Sequence, residues 1–183
     1  MKRSMIALAT VAGLAACSHE IVDKPTTAAE FPVEFNMSGL DSKPPQYKHG
    51  IDSATGIHVW TMRKSGGSKF AIVTYLEAHS DYAFSTRSPR SWVADMLPDD
   101  AKVEWQDSGS MNDGATVTSW QAFDLGGDAR CIGLLRELKR HAEAGSQINA
   151  TQTSIVAIYC RPGMAPLEAV EAQEVSSAIR LRT

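Results

Sequence analysis

Ser154-Ile155-Val156-Ala157-Ile158-Tyr159-Cys160 is the stretch on which the fold turns. Rich in β-branched residues, it reads as a strand that needs a neighbour. The candidate neighbour starts at Cys131. Leu134, Leu135, Leu138 and Ala142 follow that cysteine at helical spacing, with Gly145 placed as a C-cap, so periodicity alone predicts a helix. A hairpin makes a different prediction: with Cys131 opposite Cys160, Gly133 faces Ile158, Leu135 faces Val156, and the turn falls near Gly145. Either arrangement can bring two cysteines within the roughly 4.4 to 6.8 Å between Cα atoms that a disulfide requires. The hairpin is preferred because it supplies the partner, and a helix over 131–140 stays open as the alternative.

Outward from there, the pattern is one of short strands. Ile57-His58-Val59-Trp60-Thr61-Met62 alternates, with Ile57, Val59 and Thr61 on one side. Ser65-Gly66-Gly67-Ser68 is a turn signal, and Phe70 to Leu76 completes a hairpin. Ser88-Pro89 opens a helix, serine as N-cap and proline at the first helical position, with Trp92, Val93, Met96 and Leu97 as its apolar stripe and Pro98 as its stop. A second hairpin crosses Asp113-Gly114, a strong turn pair. After Arg161-Pro162-Gly163, Pro166 starts a helix expected to run to about Leu181 and to cover one face of the sheet. The expectation is a single α+β domain over 47–183: a mostly antiparallel sheet with a short central helix and a C-terminal helix. At the level of element order alone this resembles the PsbP and Mog1 sandwich folds, which implies a fold and no activity.

The first residues carry a different signal. Lys2 and Arg3 precede the apolar run from Met5 to Leu14, and Leu14-Ala15-Ala16-Cys17 follows. This resembles the lipobox of bacterial lipoproteins, with a charged front, an apolar stretch and small residues before the cysteine. The resemblance implies cleavage after Ala16, a signal peptide over 1–16, and acyl chains (palmitate or similar) on Cys17. A transmembrane helix needs about 18 or more apolar residues, and Ser18, His19 and Glu20 end the run too soon. One acyl chain binds a bilayer only reversibly, whereas two or three make a stable anchor. Ser18 after Cys17, with no aspartate there, implies sorting to the outer membrane with the domain in the periplasm.

With Cys17 used for lipid, two of the three cysteines remain, Cys131 and Cys160. An even remainder in an exported chain reads as a disulfide, contributing about 3 to 4 kcal/mol for a loop of this length. The spacing fits neither a redox pair nor a zinc site. Residues 17–46 carry Pro25, Pro32, Pro44 and Pro45 and read as a proline-rich tether holding the domain off the membrane, with Phe31-Pro32-Val33-Glu34-Phe35 as a possible docking strand. Loss of Lys2 and Arg3 lowers the 18 basic residues to 16 against 21 acidic ones, a net charge of −5. An acidic chain has no general attraction for phosphate backbones, so nucleic acid is excluded as a partner.

Catalytic motifs fail in turn. His19, His49, His58, His79 and His141 form no recognisable ligand pair, and His79-Ser80-Asp81 is the nearest local cluster. Gly66-Gly67-Ser68-Lys69-Phe70 lacks the second glycine of a nucleophile elbow and the spacing of a phosphate loop. Asp99-Asp100 reads as a solvated loop, and Asn36 and Asn149 head glycosylation patterns that mean little in a bacterial envelope. Trp60, Trp92, Trp105 and Trp120 fall one per element, which fits core packing better than a ligand cleft. No catalytic residue, metal ligand or cofactor is expected. The first expectation is a non-enzymatic envelope lipoprotein that partners another envelope protein. The second is a periplasmic enzyme or small-ligand binder whose pocket gathers several of His49, His58, His79, Asp81 and Asp99.

Overall fold

The computed structural model describes residues 23–53, 55–78, 87–112, 116–141, 151–163 and 165–182. Cys17 with the signal peptide, His19, the His79-Ser80-Asp81 cluster, the Asp113-Gly114 turn, Gly145 and Asn149 lie outside them. The deciding segment resolves as a hairpin. Strands β8 (Ala129–His141) and β9 (Thr151–Pro162) are antiparallel, with Cys131 opposite Cys160, Gly133 opposite Ile158 and Leu135 opposite Val156. The helical spacing misleads for a clear reason. Leu134 is buried on one face of the sheet and Leu135 on the other. A strand covered on both sides gathers apolar residues at every spacing, three and four included. Cys131 and Cys160 are disulfide-bonded, with Cα atoms 4.1 Å apart.

Around this hairpin the sheet is built from two meanders. The first comprises β3 (Gln46–Ile51), β4 (His58–Gly66) and β5 (Lys69–Ala78); the second runs from β6 (Val103–Asn112) through β7 (Val117–Leu125) to β8 and β9. β5 and β9 join them, and two-residue β1 (Lys24–Pro25) borders β3, so the order is β1-β3-β4-β5-β9-β8-β7-β6. Every pairing is antiparallel. Helix α1 (Pro89–Met96), between β5 and β6 in the chain, packs on one face. Its start follows the sequence: Ser88 caps it by accepting from the Ser91 N–H, and proline stands in the first turn. Gly133 is what lets α1 approach, because a Cβ there would lie 2.2 Å from Cγ2 of Val93.

The opposite face is closed by a longer run of chain. Helix α2 (Ala169–Ser177) lies there beside a two-stranded ribbon of β2 (Val33–Phe35) and β10 (Ile179–Leu181). Arg136 of β8 ties this layer down, donating to the Ser176 and Ile179 carbonyls at the end of α2. Two expectations are corrected here. The C-terminal helix stops at Ser177, and Ile179 and Leu181 belong to a strand; they pair with Phe35 and Val33. Residues 23–46 are also no free tether. Phe31, Val33, Phe35 and Leu40 are fully buried in the core, with the strand alternative holding at Val33–Phe35. Their chain runs so close to β4 that a Cβ on Gly66 would sit 2.1 Å from the Gly39 carbonyl oxygen. Proline density suggested extension; the alternating apolar residues between the prolines decided burial.

Candidate binding groove

The face that carries α1 is covered unevenly. The helix is eight residues long and packs over β7, β8 and β9, which leaves a groove of about 570 Å³ along β4 and β5. Such a volume falls within the range of small-ligand sites, roughly 300 to 1,000 Å³. Its floor follows from strand alternation. Ile57, Val59 and Thr61 point into it from β4 and its approach, and the register sets Val59 beside Leu76, Thr61 beside Thr74 and Arg63 beside Ile72. The Thr61 and Thr74 hydroxyls lie 3.4 Å apart and hydrogen-bond to each other, so they make the middle of the floor less demanding of a polar partner.

Trp92 and Met96 of α1 form the wall. The Arg87 guanidinium lies 4.6 Å over the Trp92 ring and also bonds Ser91 and Asp95, which fixes the rim residues of that wall. At the Ile57 end the rim is acidic. Asp23 is ion-paired with Lys48 at 3.0 Å, and Asp52 accepts the Thr55 N–H at 3.0 Å. At the other end stands Arg63, exposed, with no ion-pair or hydrogen-bond partner among the described residues.

Of the histidines singled out from sequence, the fold joins two, on the opposite face. His49 Nε2 and His58 Nδ1 are 3.2 Å apart, with ring centroids at 5.3 Å. The centroid distance is the nitrogen separation plus about one ring radius at each end, so the nitrogens meet head-on and share a proton. Two nitrogens joined by one hydrogen bond, one donating and one accepting, are not both turned toward a common metal ion. Trp60 stacks on His49 at 4.4 Å and meets Tyr75 edge-on at 5.5 Å. Burial, and then the charge of His58, holds His49 below its ordinary value of 6.5, with Glu30 acting weakly the other way. Tyr75 is pushed up to about 12, mainly by burial. His49, favoured in its neutral form, and the unionised Tyr75 phenol pack with Trp60 and His58 as an aromatic cluster on this face.

Of the five residues expected to share a pocket, His79 and Asp81 lie outside the described residues; among the described ones His49 and His58 meet on the opposite face, Asp99 is exposed beyond α1, and the groove is lined by none of the three. Among the described residues no group of three or more metal-binding side chains is found. The tryptophan expectation is corrected in part, since Trp120 is buried but Trp60, Trp92 and Trp105 are half-buried, and Trp92 belongs to the groove. Sequence reasoning missed Arg63. Its one signal was the alternation, which continues the Ile57-Val59-Thr61 face by one step. Fold and groove together define an antiparallel α+β domain with one closed and one partly open face. Comparison with protein-family models, with curated proteins and with solved structures gives no match.

Proposed function

We propose that this protein is a non-enzymatic lipoprotein of the outer membrane, anchored through Cys17, whose periplasmic domain holds a ligand in the groove between α1 and β4–β5. The observation that carries this reading is the groove, an apolar floor of half-buried residues with paired charges at its rim. The sequence Leu14-Ala15-Ala16-Cys17 supports the anchor. Asp23 lies on the groove's rim, six residues after Cys17. Six residues reach at most about 20 Å, so the anchor places the groove close to the bilayer. Metabolic labelling with an alkyne-bearing palmitate should mark the wild-type chain and not Cys17→Ser; an unlabelled wild type would end the lipoprotein reading.

A second reading, docking of an envelope protein partner, is favoured by β6. This ten-residue strand is the outer edge of the sheet and mostly exposed. Unpaired edges accept added strands, although the irregularity between Trp105 and Ser108 and the charges of Glu104 and Asp107 oppose this. A photocrosslinking amino acid at Gln106 in intact cells should capture a protein if the edge is used. The same probe at Ile72, in the groove floor, should capture a small molecule if the groove is.

A further inference from the structure

The groove has a direction. Its Ile57 end is apolar with acidic groups already paired or bonded, and its other end presents Arg63 with no counter-charge among the described residues. From Ile57 to Arg63 is six residues of nearly extended chain, about 20 Å at roughly 3.3 Å each. An acyl chain spans half of a ~30 Å hydrocarbon core, about 15 Å. A single chain therefore fits lengthwise and leaves room for a headgroup at the arginine.

We propose that the groove takes a single-chain amphiphile with an anionic headgroup, its chain along Val59 and Leu76 against Trp92 and Met96, and its charge on Arg63. This rests on the reading of the groove as a ligand site. Charge chooses the headgroup, because a cation would meet Arg63, while Asp23 and Asp95 already face Lys48 and Arg87 and Asp52 accepts the Thr55 N–H. Guanidinium suits both candidate anions, since its planar donors match carboxylate and phosphate alike. The chain's own acyl groups on Cys17 would lack that charge and leave Arg63 unmatched.

The test uses the full chain carrying Cys17→Ser, so that no attached lipid competes. Displacement of a dansyl-labelled fatty acid is measured with hexadecanoate, with lysophosphatidylglycerol and with hexadecanol. One or both anions should displace the probe, and which of them does so tells a carboxylate from a phosphate source. Arg63→Gln should weaken the anions about two- to fivefold and leave the alcohol unchanged, the effect of one exposed charge pair. Arg63 is exposed, so this variant should keep the wild-type melting temperature. A diazirine-bearing fatty acid should label the Trp92 and Met96 peptide. Equal binding of acid and alcohol, untouched by Arg63→Gln, would overturn the anionic headgroup while leaving the groove as a ligand site. Absence of displacement, with no label near Trp92, would overturn both. Binding by Cys17→Ser but not by the lipidated chain would overturn the free amphiphile in favour of the protein's own acyl group.

Discussion

The two faces of the sheet are made of similar residues and finished differently. One carries α2, the β2–β10 ribbon and the 31–40 segment, and there Phe31, Leu40, Ile132 and Val175 are sealed from solvent. The other carries an eight-residue helix, which seals Val93, Phe123 and Ile158 but leaves Ile57, Val59 and Ile72 half-buried beside it. Apolar strand residues are thus no guide to which face is finished. What differs is the length of chain laid over each, and a short cover on a wide sheet makes a groove.

The comparison breaks most readily at Phe31. Were residues 17–46 a tether, Phe31→Ala would be silent; with the ring fully buried, it should cost about 3 to 5 kcal/mol, read as a lower urea midpoint. Next is the disulfide between the faces' central strands. Removing it as Cys131→Ala with Cys160→Ala frees a loop closed over 29 residues and should cost about 3 to 4 kcal/mol, with reduction of the wild type giving a similar loss.

Gly133→Ala sharpens the contrast on the open side. The added methyl meets Val93, so α1 should be pushed outward at a cost of about 1 to 3 kcal/mol. Adding Val93→Ala should recover part of it, and a simple sum of the two single losses would show that the helix does not sit where described. The smallest effect is the pH dependence of the histidine cluster. His49 is held below 6.5 by burial and by His58, so the unfolded chain binds its proton more readily. Its share of stability is present above about 6.5 and is lost as pH falls through the lower folded value. Glu30, lowered by hydrogen bonds from Thr26 and Thr27, and Glu171, lowered chiefly by the Glu168 N–H, add losses in the same direction only below 4.5. Urea midpoints against pH should therefore decline in two stages, and His49→Phe should flatten the first; an unchanged profile would show that His49 does not carry it.

Much of this was legible in the chain. Alternation at Ile57-Val59-Thr61 and the glycine turn placed β4 and β5. Ser88-Pro89 and Pro98 bounded α1, because capping chemistry is local. Even the register of Cys131 with Cys160 followed from a strand that required a partner. The candidate site was less so. Val59 and Thr61 were seen to share a face, but whether that face is covered depends on α1, some thirty residues on, and on how closely Gly133 lets it pack. Trp92 looked like core, since an apolar stripe on a helix reads the same when half of it borders a groove.

Sequence by itself determined the local matters: strand faces, the start of α1 and the glycine turn between β4 and β5, each set by residues a few positions apart. Only the tertiary structure decided that Phe31, Val33, Phe35 and Leu40 are core, that Ile179 to Leu181 are strand, that His49 meets His58 head-on and that Arg63 stands at the end of an open groove with no counter-charge among the described residues. These depend on contacts between segments distant in the chain, where burial and pairing are settled by which surfaces meet and not by any residue's own preference.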